Sequence, residues 1–375
     1  MREYIKLCDV CDFQGGSQPP KDEWSFDFKA GYIRMLQIRD FTQSERVAPE
    51  YIKITKTTRT CEADDILIAR YGASLGKILT GLAGAYNVAI MRTIPDTNIL
   101  EKKYLYYYLK SPVFQGFLLN VGSRAAQAGF NKNDLQDLFI PNITRNEQVE
   151  IVGILERVET VIESRQKELQ KLDDLIKARF IEMFGDPVAD TKNWGQTLLK
   201  EHLESIRYGT STPPIFTGDG YAFIRATNIK NGKIVTNDMK YIPQEEADRL
   251  EKCKLSGGEI IIVRSGVNAG DTCVVTDEYI GQYAGYDMIL VLSSDLHPVF
   301  FNTLINTEYM DKVVKPLTRR AAQPHLNSEQ TQRLPIIEVP FELQEQFADF
   351  VKQVDKSRFD IKKSIIELER EVVYD

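Results

Sequence analysis

From Ile151 the apolar positions of this chain advance by alternating steps of four and three residues. The series runs Ile151, Leu155, Val158, Ile162, Leu169, Leu172, Ile176, with Arg165 and Arg179 at seam positions and Met183 closing it. The last segment repeats the pattern through Phe347, Val351, Val354, Arg358, Ile361, Ile365, Leu368 and Val372. Both are heptad seams. An offset of about 196 residues lays Ile151 on Phe347 and Ile176 on Val372. The pattern predicts two long helices, the first over about 146–184 and stopped by Gly185-Asp186-Pro187. At 1.5 Å per residue it would be roughly 55–60 Å long. Seams this long and this well matched predict that the two helices pack on each other; packing of each on its own domain is the plainer alternative.

The remaining segments read as compact α+β domains. Short apolar runs at Ile66–Ala69, Val88–Met91, Ile260–Val263 and Met288–Leu292 predict strands among Gly- and Pro-rich loops. Helices are expected at about Lys102–Leu109 and Val299–Val313. The second half also echoes the first. Gly16-Ser17-Gln18-Pro19-Pro20 is answered by Thr210-Ser211-Thr212-Pro213-Pro214, and Gly31-Tyr32-Ile33-Arg34 by Gly220-Tyr221-Ala222-Phe223-Ile224-Arg225. Asp65-Ile66-Leu67-Ile68-Ala69-Arg70-Tyr71-Gly72 is matched by Glu259-Ile260-Ile261-Ile262-Val263-Arg264-Ser265-Gly266, and Ala85-Tyr86-Asn87 by Gly285-Tyr286-Asp287. Arg124-Ala125-Ala126-Gln127 with Asn131 recurs as Arg320-Ala321-Ala322-Gln323 with Asn327. Units this long are no solenoid repeat; each half should hold a domain of its own.

Composition changes the picture in one respect. The 375 residues carry a net charge of −7, which counts against nucleic acid as a partner. Segment by segment the objection fades. Residues 1–145 hold 19 Lys/Arg and 16 Asp/Glu, and 191–341 hold 16 and 18. The segments 146–190 and 342–375 hold 6 against 11 and 6 against 9, so the predicted helices carry the acidity. The globules are close to neutral and free to present a basic face. Five scattered Cys fit a reducing cytoplasm and not a disulfide scaffold. No apolar run is long enough for a membrane span, and the N-terminal residues lack an apolar signal core, so a cytoplasmic protein without membrane contact is expected.

Motifs of chemistry are missing or misleading. Gly72-Ala73-Ser74-Leu75-Gly76-Lys77 resembles a phosphate loop, but three residues separate the glycines where four are needed, and Ile78 replaces the Ser or Thr. Cys8 and Cys11 form a C-x₂-C with no second pair, so no metal site is expected. His202, His297 and His325 lack the local company of a nucleophile–base arrangement. Neither a Gly-rich S-adenosylmethionine fingerprint nor an Asn-Pro-Pro-aromatic motif is present. No catalytic residue and no cofactor are assigned to this chain.

The repeated polar positions suit DNA. Arg grips guanine or phosphate with two hydrogen bonds, and Gln or Asn pairs with the adenine edge. Arg124, Gln127, Asn131 and Lys132 in the first half and Arg319, Arg320, Gln323 and Asn327 in the second are therefore candidates, with Arg70 and Arg264 beside the Gly-rich turns. A framework role, capping helices and tying loops, is as good an account of a block that occurs in both halves. Base-reading residues should instead sit where the halves differ: Lys53, Lys56, Thr57, Thr58 and Arg59, and Lys230, Asn231 and Lys233.

Taken together, these features resemble the specificity subunit of type I restriction-modification systems. The resemblance spans essentially the whole chain. It is carried by the Gly…Pro-Pro start, the Ile-Leu-Ile-Ala-Arg-Tyr-Gly strand and its twin, the Arg-Ala-Ala-Gln…Asn block, Pro141 with Glu147-Gln148, Phe341 with Glu345-Gln346, and Phe180-x-x-Met-Phe-Gly-Asp-Pro. It implies two tandem α+β target recognition domains (1–145 and 186–341), each reading half of a bipartite site in double-stranded DNA. Two long antiparallel coiled-coil helices (146–185 and 342–375) would act as the spacer, giving an internal pseudo-twofold repeat. It further implies a non-catalytic subunit that recruits two modification (methyltransferase) subunits and restriction (translocase-nuclease) subunits, with S-adenosylmethionine, ATP and Mg on those partners. A specificity subunit serving a type II-like methyltransferase-nuclease, or a coiled-coil scaffold that binds protein and not DNA, remain as alternatives.

Overall fold

A computed structural model describes residues 3–43, 46–122, 129–319 and 324–374. The chain divides into two compact units, residues 1–164 with 365–375, and residues 165–364.

In the first unit, Cys11–Gly15, Ile90–Pro95, Leu67–Ala69 and Ile78–Leu79 form one four-stranded antiparallel sheet in that order. Glu50–Lys53, Tyr32–Leu36, Gly84–Tyr86 and Thr60–Cys61 form a second, in which Tyr32–Leu36 and Gly84–Tyr86 run parallel. The run Ile66–Ala69 is apolar without interruption because both faces of this strand are covered. Ile66 and Ile68 point into a core with Leu105, Leu109 and Phe114 from the helices Lys102–Lys110 and Pro112–Gly122. Leu67 and Ala69 point the other way, against Leu36, Tyr86 and Ile90. The result is a layer of helices, a sheet, and a second sheet.

The second unit repeats the device. Glu259-Ile260-Ile261-Ile262-Val263 sends Ile260 and Ile262 into one core and Ile261 and Val263 into another. Its main sheet has the order Leu203–Tyr208, Met288–Leu292, Ile260–Ile262, Thr272–Val274. The strand expected at Val88–Met91 begins only at Ile90: Asn87 Oδ1 accepts from Ala89 N at 3.2 Å, closing a turn that leaves Val88 exposed. The helix expected over Val299–Val313 is two pieces, Pro298–Ile305 and the π-turn Met310–Val314. The helix Pro112–Gly122 had no counterpart among the expectations.

Arg145–Phe184 is one helix of 40 residues and Phe341–Tyr374 another of 34. The first ends at Gly185, whose φ of +79° is the left-handed turn that glycine accepts most readily. Within the second unit, Phe347 packs against both Phe180 and Phe184, with ring centroids 5.5 Å apart, and Phe300 of the globule closes the cluster. Eleven residues further along, Arg358 meets Asp173. Advancing along one helix thus means retreating along the other, so they run in opposite directions in this unit.

The seam residues differ in depth. Phe347, Val351, Val354, Ile176 and Ile365 are buried; Leu155, Val158, Ile162, Leu169, Leu172, Ile361 and Leu368 are half-buried. Ile151, by contrast, is exposed, and its neighbour Val152 turns into the core of the first globule. At the other end Phe180 and Phe184 are fully buried, where the heptad series pointed to Arg179 and Met183. Val372 lies in the last turns of the second helix.

Candidate nucleic-acid interface

In the first unit, a strap of residues 25–31 runs along the edge strand Glu50–Lys53. Ser25 and Tyr51 exchange backbone hydrogen bonds (2.9 and 2.7 Å), and Ile54 N donates to Gly31 O (2.9 Å). With its backbone so pinned, the strap presents Phe26 and Phe28, each 70% exposed. The turn that follows is tied internally: Thr55 N donates to Thr58 Oγ1 (2.8 Å), which makes Thr58 a structural residue of the turn. Lys53, Lys56, Thr57 and Arg59 stay exposed, and the three cations make no ion pair among the described residues. Arg59 N donates to Ser17 Oγ (3.3 Å), so the Pro-Pro loop and this basic turn are neighbours. Sequence reasoning passed over Phe26 and Phe28. The signal was Phe-Asp-Phe-Lys in a Pro/Gly-bounded segment; Phe28 still leaves most of its ring exposed although it meets Tyr51 edge-on at 5.6 Å.

At the end of the first sheet the described residues around the repeated block serve as framework. Arg70 gives Nε to Phe130 O and Nη1 to Val88 O, both at 3.1 Å, and stacks over Tyr71. Gly129 pairs with Tyr71 in a backbone bridge, and a Cβ there would come within 2.5 Å of the ring. Asn131 Oδ1 accepts from Asn133 N (2.8 Å), capping the turn Lys132–Leu135. Lys132 is ion-paired with Asp12.

The second unit builds the same corner with other partners. Asn327 caps Ser328–Gln332 through Gln330 N (2.8 Å). His325 Nδ1 and Ser265 Oγ share a hydrogen bond of 2.9 Å. Arg264 lays its guanidinium 4.3 Å over Tyr208, and its backbone N donates to Asp287 Oδ1 (3.1 Å). Burial pushes the Asp287 carboxyl up to about 6, against the pull of that N–H and of the Arg264 charge. Arg319, Lys230 and Asn231 are exposed, Asn231 at the φ of +50° that a tight turn demands. Arg124, Gln127, Arg320 and Gln323 lie outside the described residues.

Lys233 is a correction. Expected to face DNA, it reaches inward to the long helices, 3.4 Å from Asp173 and 3.7 Å from Asp355. Burial, with Arg358 nearby, lowers its ammonium to about 8 despite those carboxylates.

The other motifs resolve into structure. Gly72–Lys77 joins two strands of a hairpin, with Gly76 N donating to Ala69 O (2.9 Å); no helix follows it to hold a phosphate. Cys8 and Cys11 direct their thiols at backbone carbonyls, and burial raises both pKa values, Cys11 to about 12.

Two globules built to one plan, each rooted in a long helix, invite comparison with known proteins. A sequence profile for the type I restriction modification DNA specificity domain matches residues 2–174 and again 211–370. The chain belongs to that family. It is therefore a specificity subunit, a non-catalytic class of protein. It is 21% identical over 374 residues to the type I restriction enzyme MjaVIII specificity subunit of Methanocaldococcus jannaschii, covering 94% of this chain and 86% of that one. It is also 26% identical over 151 residues to the EcoBI specificity subunit of Escherichia coli, which is 38% of this chain and 32% of the other. A solved structure of a type I restriction-modification system, described in terms of complex assembly and conformational transition, superimposes over 99% of this chain and 94% of its own. Its TM-score is 0.59 at 17% identity, a likeness of fold. Among the described residues no helix is long and apolar enough to cross a membrane, and no cluster of His, Cys, Asp and Glu could hold a metal ion.

Proposed function

We propose that this specificity subunit reads a bipartite site in double-stranded DNA, one half-site per globule. Residues 1–145 and 186–341 are the two recognition domains, and 146–185 with 342–375 form an antiparallel coiled-coil spacer that gives the chain its pseudo-twofold repeat. The observation that carries this reading is a framework built twice under loops that differ. Asn131 and Asn327 cap equivalent turns. Ser25 and Thr217 pair with Tyr51 and Tyr241 in equivalent bridges. Yet the first strap continues as Phe-Asp-Phe-Lys and the second as Gly-Asp-Gly. Two readers of different sequences need a common scaffold and unlike tips.

Lys53, Lys56, Thr57 and Arg59 with Phe26 and Phe28 form the contact surface of the first reader. Lys230, Asn231, Arg264 and Arg319 belong to that of the second. Cations grip phosphates and the tips read base edges. Two modification subunits, and restriction subunits where the host has them, assemble on this chain in the cytoplasm and bring S-adenosylmethionine, ATP and Mg. The test is methylome sequencing of cells that co-express this chain with its modification subunit. A gapped motif is expected, and removing one heptad from the first long helix should change the gap. A continuous motif, or none, rejects the reading.

A further inference from the structure

Among the described seam positions Arg358 is the buried charge, whereas Arg165 and Arg179 are half-buried and pair with Glu168 and Glu182 on their own helix. Arg358, with its side chain 7% exposed, donates Nη2 to Asp173 Oδ1 of the facing helix at 2.5 Å and pairs through Nη1 with Asp355 on its own helix. Lys233 reaches the same two carboxylates from the globule. Two cations and two anions thus close a neutral quartet, between Leu172 and Ile176 on one helix and Val354 and Ile361 on the other. Lys233 is itself held in place. It sits in a hairpin whose Asn231-Gly232 turn has φ of +50° and +79°, and Asn302 Nδ2 donates to Gly232 O at 3.0 Å.

We infer that Arg358, Asp173, Asp355 and Lys233 are a register lock, which fixes the turn of the first long helix that faces each turn of the second. Phe347 on Phe180 and Phe184 favours one register at the end of the seam, but its aliphatic rows do not. Leu155, Ile162, Leu169 and Ile176 follow one another every seven residues, so a slip of one heptad exchanges one branched aliphatic for another. The quartet does not survive that slip. Arg358 would then face Gln166 or Phe180 in place of Asp173, a buried guanidinium with no carboxylate opposite. A polar residue in an otherwise apolar seam commonly selects register in this way. Lys233 ties the second globule to the same level, so helix register and the seat of that globule are set together. The consequence for DNA rests on the proposed two-headed reading: one heptad is roughly 10.5 Å of helix, about three base pairs at ~34 Å per ten. These four are positioning residues and touch no DNA themselves.

The test removes the charges and keeps the bulk, with Asp173→Leu and Arg358→Leu together, in the full-length chain. Buried ion pairs replaced by apolar side chains of similar volume commonly preserve folding. Spin labels go on Lys171→Cys and Ser357→Cys, both exposed, in a Cys8→Ser background, since the other four native thiols are buried. Pulsed dipolar spectroscopy without DNA should show one narrow distance population in the parent and a broad or divided one in the double-leucine variant. One unchanged narrow population in the variant overturns the lock. Should the leucine pair melt far below the parent, Arg358→Gln with Asp173→Asn takes its place under the same criterion. Methylome sequencing gives the second readout: the same half-site sequences with a second gap length about three base pairs from the first. A single unchanged gap in the variant also overturns the lock. A parent chain that yields no gapped motif instead defeats the two-headed reading, and the spin-label distances still decide the lock.

Discussion

Gln148 and Gln344 stand at equivalent points near the starts of the two long helices and make the same three hydrogen bonds. Gln148 Oε1 accepts from Glu101 N (2.7 Å), and its Nε2 donates to Ile99 O (2.9 Å) and Ile143 O (3.0 Å). Gln344 Oε1 accepts from His297 N (2.8 Å), and its Nε2 donates to Asp295 O (3.1 Å) and Val339 O (2.8 Å). Both are almost fully buried, 3% and 2% exposed. Each amide fastens the loop before the long helix, and the start of the helix Lys102–Lys110 or Pro298–Ile305, to the long helix. Gln148→Leu or Gln344→Leu leaves three backbone groups without a partner, and at ~1 kcal/mol or more for each the loss is about 3 kcal/mol. Urea denaturation of the full chain checks this, and a loss under ~1 kcal/mol would show that water replaces the amide.

Sequence pattern disclosed the helices and hid these clamps for the same reason. A heptad repeat is written in side chains alone, so Arg145–Phe184 was legible almost to the residue. A glutamine that bonds only backbone atoms, two of its three partners almost 50 residues away, leaves no pattern. The resemblance drew the eye to Glu345-Gln346, where Gln346 is exposed and the working counterpart is Gln344. The seam itself was misplaced at both ends, because Val152 and Phe180 with Phe184 pack into globules and not only along a partner helix. Lys233 was misread because its two carboxylates lie 60 and 122 residues distant. For Asn131 and Asn327 the pattern leaves base reading and a framework role equally open, because their capping bonds depend on a local backbone that side-chain identity alone does not specify.

Asp287 is a titrating side chain at a position where the first half has a neutral one, Asn87. The Asp287 carboxyl, only 4% exposed, is raised from 3.8 to about 6, and its Oδ2 has no hydrogen-bond partner among the described residues. The folded state then holds a proton that the unfolded chain releases near pH 4. The stability present below pH 4 is lost as pH rises through about 6. Asp287→Asn should be neutral near pH 4 and stabilising at pH 7, by at most about 3 kcal/mol for a two-unit shift. Urea midpoints at the two pH values measure the difference. Equal effects of the substitution at both would show that the fold does not raise the carboxyl above its ordinary value.

Gly16 and Gly209 bring the chain against the backbone of the Ala-Tyr-Asn and Gly-Tyr-Asp segments, with different clearances. A Cβ at Gly16 would lie 2.1 Å from Asn87 O and 2.3 Å from Tyr86 O, both backbone atoms. At Gly209 the nearest atom, Tyr286 N, is 2.9 Å away. Gly16→Ala should therefore destabilise by about 2–3 kcal/mol and Gly209→Ala by roughly half as much, within the usual range for overpacking. Thermal melts of the two variants rank them, and the reverse order would contradict the close approach at Gly16.

Salt dependence should separate the cations proposed to face DNA from Lys233. Lys53, Lys56 and Arg59 are exposed and unpaired among the described residues, whereas Lys233 is engaged by Asp173 and Asp355. A phosphate contact releases counterions, so each lost contact lowers the slope of log K against log salt by about 1. Alanine at Lys53, Lys56 or Arg59 should weaken binding of the assembled methyltransferase to its site at low salt and flatten that slope, with little change in sequence preference. Alanine at Lys233 should leave the slope unaltered, because its charge is satisfied inside the protein. Fluorescence anisotropy from 50 to 300 mM salt (about one decade of binding strength per contact at most) distinguishes the two groups. If Lys233→Ala flattens the slope as much as Lys56→Ala, the ammonium leaves the quartet when DNA arrives, and the division between reader and lock drawn at Lys233 fails.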